Sequence, residues 1–229
     1  MKIETLLSLL QFSDGLFPAG SYAHSFGLET LIDDERVTNA DGAATILRAH
    51  LEGNVGPCDA VYAVNALRAR AAEDVDACVE LDMRLDTIKS AAEPREASRQ
   101  LGRQTLRIAA TVIRHEILSA YAQRVDAGVS PGHHAVVFGI IGGACGWPAQ
   151  VTAAALLYAS AVGMVGAATR LVPLGQTQAQ RLIRDASPII ARLADEAAKG
   201  TIEEAFNFAP ALEIAAMRHA QLEARLFKS

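Results

Sequence analysis

No aspartate, glutamate, lysine or arginine occurs among the 35 residues from 135 to 169. A charge-free run of that length belongs inside a fold or inside a membrane, since both disfavour unpaired charge. About 20 apolar residues cross a bilayer, so a pair of short spans fits by length alone. The content argues otherwise. Gly139, Gly142, Gly143, Gly146, Trp147-Pro148 and Gln150 interrupt the run, which leaves residues 135–145 too few to span. Residues 151–169 are long enough, but they are mostly Ala, Gly, Ser and Thr, with Leu156, Leu157, Tyr158 and Met164 as the bulky members. The cationic flank that would orient a membrane helix is reduced to Arg170. Small residues let neighbouring helices approach closely, so the run reads as central core helices, with no membrane as partner.

Composition agrees with that reading. Apolar residues make up 51% of the 229-residue chain, yet aromatics are only 5%, so the core material is small and aliphatic. A formal net charge of −5 offers no clustered positive field for nucleic acid. Cys58, Cys78 and Cys145 are odd in number, far apart and without a CxxC pair, which fits free thiols in a reducing compartment. The first ten residues carry one lysine and a brief apolar patch broken by Glu4, too little for a secretory signal. A cytoplasmic location is expected.

Helical periodicity dominates the rest. Leu182, Ile183, Ala186, Ile189, Ile190, Leu193, Ala194 and Ala197 recur at i, i+3/i+4, i+7, with Ser187-Pro188 allowing a kink or restart. Leu101, Ile108, Ala109, Val112, Ile113, Ile117, Ala120 and Tyr121 form a second stripe, and Leu212, Ala215, His219, Leu222 and Leu226 a third. Further helices are predicted near 2–11, 22–33, 40–56, 58–72, 75–91 and 150–169, with breaks at Gly56-Pro57, Glu93-Pro94, Ser130-Pro131-Gly132, Trp147-Pro148, Val172-Pro173 and Ala209-Pro210. Residues 136–141 alone are ambiguous between helix and strand. The expected fold is all-α, one domain over residues 1–229, a bundle of about ten helices.

Residues 12–32, FSDGLFPAGSYAHSFGLETLI, are unlike the rest. Asp14-Gly15 signals a turn, Phe17-Pro18 an extended approach, and Ser21 a cap for a helix starting near Tyr22. On that helix Tyr22 and Phe26 share one face, Ser25 and Glu29 another. Gly27 inside a helix costs about 1 kcal/mol against alanine, which points to close contact with another backbone. Ser21 and His24 lie within one turn with Asp14 nearby, so a small helical serine hydrolase is the alternative reading. It lacks a GxSxG elbow and a recognisable oxyanion loop.

FPAGSYAHSFGLE resembles the signature of the urease accessory protein UreF family. Concordant matches follow in order: Pro94-Arg95-Glu96-Ala97-Ser98 with Gly102, then Leu171-Val172-Pro173-Leu174-Gly175-Gln176, and the ending from Met217-Arg218-His219 through Arg225-Leu226-Phe227-Lys228-Ser229. The resemblance implies an all-helical, dimeric maturation factor that catalyses no reaction and holds no cofactor. It implies binding to a UreD-type (UreH) accessory protein, recruitment and modulation of the nickel-carrying GTPase UreG, and delivery of nickel to apo-urease. By position it implies that Tyr22 lies near Arg225, and that the tail from His219 orders on the UreD-type partner. Tyr22, His24, Ser25, Glu29, Arg225, Leu226 and Phe227 are the resulting partner-binding candidates; Arg and Tyr are favoured interface anchors.

Three other constellations read as structural. Arg95, Arg99, Arg103 and Arg107 recur every four residues as a ridge, expected to pair locally with Glu93 and Glu96. His133-His134 point about 100° apart on a helix and have no carboxylate or cysteine at ligand spacing, so a loop cap is favoured over a metal site. His219, on an apolar stripe, reads as a hydrogen-bonded core histidine. No Walker or Rossmann glycine pattern occurs, so any GTP is held by a partner.

Overall fold

The computed structural model describes residues 1–20 and 24–228, and among them there is no strand. The chain runs through α1 (Ile3–Ser13), α2 (Leu28–Asp33), α3 (Ala40–His50), a π-helical segment (Leu51–Ala60) and α4 (Val61–Ala71). It continues through α5 (Val75–Ile88), α6 (Ala92–Ile113), α7 (Glu116–Asp126) and α8 (His134–Cys145). α9 (Ala149–Leu171), α10 (Gln176–Ala197), a 3₁₀ turn (Ile202–Glu204) and α11 (Pro210–His219) complete it. The all-α expectation holds, and the ambiguous run at 136–141 is helical within α8.

The charge-free run supplies the centre. α8 buries residues on every side, and it lies against α4 so closely that a Cβ at Gly139 would sit 2.0 Å from the Ala63 carbonyl oxygen. Only glycine permits that approach. Gly146, with φ +71°, ends α8 in the left-handed conformation and turns the chain into buried Trp147. The Trp147 indole packs on Phe12 and Phe138 and donates to Ser8 Oγ at 2.8 Å. α9 is the one helix among the described residues long and apolar enough to cross a membrane. Half of its most apolar stretch is nevertheless buried inside the fold, against α10, α4 and the π-helical segment.

Two apolar clusters result. One gathers Leu28, Leu31, Leu47, Leu157, Leu193 and Leu212 from α2, α3, α9, α10 and α11; the other gathers Phe12, Tyr62, Leu85, Leu118, Phe138 and Trp147. Side-chain caps fix several helix starts: Asn39 accepts from Gly42 N–H before α3, and Asp74 from Ala77 N–H before α5.

Four predicted boundaries are corrected. No break occurs at Gly56-Pro57. Residues 51–60 widen into π-helical turns that accommodate Pro57, and the carbonyls of Gly53 and Pro57 accept N–H groups from Phe208 and Phe206 instead. α10 runs uninterrupted through Pro188. α11 stops at His219, so Leu222 and Leu226 are not on it. The helix predicted over 22–33 begins only at Leu28, because Phe26 and Gly27 both take positive φ (+53° and +87°), which no α-helix accommodates. The cap assigned to Ser21 and the position of Tyr22 lie outside the described residues.

Candidate functional site

Gly27 is not inside a helix, yet the close contact inferred for it is real. A Cβ there would stand 2.7 Å from the Leu212 carbonyl oxygen and 3.0 Å from the Ala216 nitrogen, so the signature turn rests directly on the backbone of α11. That contact sets the geometry of everything that follows. Glu29, in the first turn of α2, is buried and reaches across to the end of α11. Its Oε2 meets His219 Nε2 at 2.8 Å, and the other ring nitrogen, Nδ1, meets Glu93 Oε2 at 2.7 Å. Both ring nitrogens of fully buried His219 thus stand at hydrogen-bond distance from a carboxylate oxygen. Arg225 approaches the same Glu93 carboxylate at 3.3 Å, so Glu29, His219, Glu93 and Arg225 form one bridge from α2 through α11 and α6 to the tail.

The same Glu29 carboxylate holds the tail backbone. Leu226 N–H donates to Oε1 at 2.6 Å and Phe227 N–H to Oε2 at 3.2 Å. With its ring 5.7 Å from the Arg170 guanidinium, Phe227 is buried in the first apolar cluster. Leu226, in the same bend, faces the other way and is 63% exposed. Ser25 is fully buried, and its Oγ accepts the Glu29 N–H at 3.4 Å. His24 is buried beside Phe26; burial, and secondarily the Lys228 charge, pull its pKa below the usual histidine value. The structure thus brings Ser25, Glu29, Arg225, Leu226 and Phe227 together. It turns Glu29 and Phe227 inward as internal fastenings and leaves Leu226 and part of Arg225 facing solvent.

Glu93 was expected to pair with the arginine ridge, and its bond to His219, like the second hydrogen bond of that ring to Glu29, was not read from the sequence. An isolated histidine on an apolar stripe signals a buried polar partner, but nothing in the spacing says that two glutamates more than 60 residues apart supply it.

The remaining candidates have internal roles. His133 stands at the N-cap position of α8 without a side-chain cap bond, and contacts Ser98 Oγ at 3.0 Å through Nδ1 and Asp86 Oδ1 at 2.8 Å through Nε2. Burial lowers its pKa, against the opposing pull of Asp82 and Asp86. Although burial disfavours the Asp86 charge, Arg99 and His133 hold its carboxyl below the usual range. Arg99 forks onto Asp86 and also meets Glu96, Arg95 donates to the Lys89 carbonyl, Arg103 to the Pro131 carbonyl and Arg107 to Gln104. The ridge is therefore spent largely on its own chain, although Glu93 serves Arg225 and His219 rather than the ridge. Cys58, Cys78 and Cys145 are free thiols, the first two buried and Cys145 partly exposed.

Nothing supports the hydrolase reading. Ser21 lies outside the described residues, and Asp14, cast as the third member, spends Oδ1 on the Leu16 N–H in an exposed turn. Among the described residues no three His, Cys, Asp or Glu side chains gather as a metal site.

An all-helical scaffold whose most distinctive segment seats its own C-terminal strap is the class of protein that this fold and site define. The family model for UreF matches residues 37–187. Full-length similarity extends this to the signature segment and the tail: the urease accessory protein UreF of Lachnoclostridium phytofermentans is 34% identical over 224 residues, covering 98% of each chain. Those of Paenarthrobacter aurescens and Bacillus sp. strain TB-90 are 34% and 30% identical, over 100% and 99% of this chain and all of theirs. The chain belongs to the UreF family of urease accessory proteins.

Proposed function

We propose that this protein is a non-catalytic scaffold of urease maturation, one helical domain over residues 1–229, that binds a UreD/UreH-type accessory protein and recruits and modulates the UreG GTPase. Nickel carried by the GTPase is the cargo, and apo-urease the recipient. The scaffold acts as a homodimer in the cytoplasm, where its thiols stay reduced.

The observation that carries this reading is the seated tail. A chain with full-length similarity to urease accessory proteins buries a carboxylate and a histidine to hold Arg225 and Leu226 at the surface. An exposed leucine beside a partly exposed arginine is suited to an interface anchor, and a tail that orders on the UreD-type partner would present both to it. Neither feature supports a reaction at this site.

Co-purification of the chain with a UreD-type protein and UreG tests the proposal. A ternary complex is expected with the intact chain and is expected to weaken with Arg225→Ala or Leu226→Ala while the helical circular dichroism stays unchanged. Failure of full-length partners to assemble on the intact chain would overturn it.

A further inference from the structure

We infer that the second half of α6 presents a basic docking face, made by Arg103, Arg107 and Arg114, for an acidic segment of another protein. The inference goes beyond the function proposed above, because it names a surface and a partner chemistry that depend neither on the tail nor on which proteins assemble there.

Spacing along the chain draws the face. Between Glu96 and Glu116 there is no aspartate or glutamate but four arginines, at 99, 103, 107 and 114. At about 100° per residue, positions 103, 107 and 114 fall within about 40° of one another, and the helical rise spreads them over about 16 Å, or three turns. All three are exposed, on the side of α6 opposite buried Leu101, Thr105 and Ala109. Glu93, which meets the tail, lies about 15 Å back from Arg103 along the same helix.

Pairing separates these three from the rest of the ridge. Arg99 spends its charge on Asp86 and Glu96. Arg103, Arg107 and Arg114 make no ion pair among the described residues; what holds the first two is neutral. Arg103 Nε donates to the Pro131 carbonyl at 2.9 Å, and Arg107 Nη2 to Gln104 Oε1 at 2.7 Å, while Gln104 is itself fixed to the Pro18 carbonyl at 3.2 Å. A neutral oxygen satisfies one donor without cancelling the charge, and it leaves the other N–H groups of the fork for a carboxylate. Holding the side chains in advance also lowers the entropy cost of docking.

The partner chemistry follows from what surrounds the row. The chain as a whole carries −5, so a polyanion is drawn only locally, within a screening length of about 10 Å at 0.1 M salt. Glu96 and Glu116 close the row at its two ends, where a continuing phosphate backbone would meet carboxylates. A short segment with carboxylates at helical spacing fits between them, and guanidinium forks match carboxylates in a planar, bidentate way.

Fluorescence anisotropy of the full chain tests this with a labelled three-turn helical peptide carrying glutamate at every fourth position. At about 50 mM NaCl the peptide should bind, its lysine counterpart should not, and about 300 mM NaCl should release it. Arg103→Glu with Arg107→Glu should weaken binding at least about tenfold. Arg181→Glu with Arg184→Glu, an equal change of net charge on exposed positions of α10, should weaken it by less than about twofold. No binding at low salt, or the same loss in both double variants, would overturn the inference. So would tighter binding of a DNA duplex of equal charge that the same variant abolishes, because the face would then read phosphate. If the first double variant loses helical circular dichroism, Arg107→Gln decides instead: weakening by about threefold supports the face, and unchanged binding refutes it.

Discussion

Replacing Gly27 with alanine should be among the costliest single-methyl additions this chain can receive. Two independent terms contribute. The residue has φ +87°, where an L-residue costs roughly 1–2 kcal/mol. The added Cβ would also lie 2.7 Å from the Leu212 carbonyl oxygen and 3.0 Å from the Ala216 nitrogen, both backbone atoms of α11 that no rotamer change can move aside. Overpacking of this kind costs about 1–3 kcal/mol, so the sum is about 2–5 kcal/mol. For a chain of this size that corresponds to a midpoint lowered by roughly 4–20 °C. The relief available is a shift of α11 away from α2, which draws His219 from Glu29 and opens the strap. The assay is urea and thermal denaturation of Gly27→Ala beside Gly166→Ala. At Gly166, inside α9, a new Cβ meets nothing within 4 Å, so the same chemical change should stabilise by about 0.5–1 kcal/mol. Opposite signs are the expected result. A Gly27→Ala protein as stable as the parent would refute both the left-handed turn and its contact with α11.

Three further outcomes follow from buried polar groups. Burial pushes the pKa of His50 down to about 4 against an ordinary 6.5, with Lys89 adding to the fall and Asp59 opposing it. Below about pH 6.5 the unfolded chain therefore takes up a proton that the folded chain refuses, and stability should drop by up to about 3 kcal/mol as pH falls to 4, with no contribution above 6.5. Urea midpoints at pH 7.5, 5.5 and 4.5 check the slope; burial also pushes His134 down to about 4, so His50→Gln should remove only part of it. Fully buried Asp82 accepts from Ser130 Oγ at 2.6 Å and from the Gly132 and His133 N–H groups. Asp82→Ala strands those donors and should cost about 3–5 kcal/mol in thermal denaturation; a loss below 1 kcal/mol would mean that water replaces the carboxylate. Burial raises the Cys58 and Cys78 thiols to about 12. A thiol reagent at pH 8 should leave both unmodified in the native protein and titrate all three cysteines after denaturation.

The third apolar stripe shows where sequence reasoning stopped. Leu212, Ala215 and His219 do share the buried face of α11, and the repeat continues numerically to Leu222 and Leu226. Helical spacing alone cannot tell that the chain leaves the helix at His219, because the alternative partners for the following N–H groups sit on Glu29, almost 200 residues earlier. The break predicted at Gly56-Pro57 failed for a related reason. Proline interrupts an α-helix, but the adjoining 206–208 segment donates N–H groups to the Gly53 and Pro57 carbonyls of the wider turns.

Much was nevertheless legible in the order of residues. The absence of charge from 135 to 169, the interleaved glycines and the 3.6-residue periodicity dictate buried, closely packed helices, because burial of charge is costly and local spacing sets which face turns inward. The distinctive residues of 12–32 and of the tail were also visible as such. That they belong to one site was decided only in three dimensions. Glu29, Glu93, His219 and the 226–227 backbone meet through contacts spanning 126 to 198 residues, and such contacts depend on how α2, α6 and α11 are docked. Periodicity acts over a few residues; which distant carboxylate a buried imidazole or an orphan N–H finds is set by the packing of whole helices.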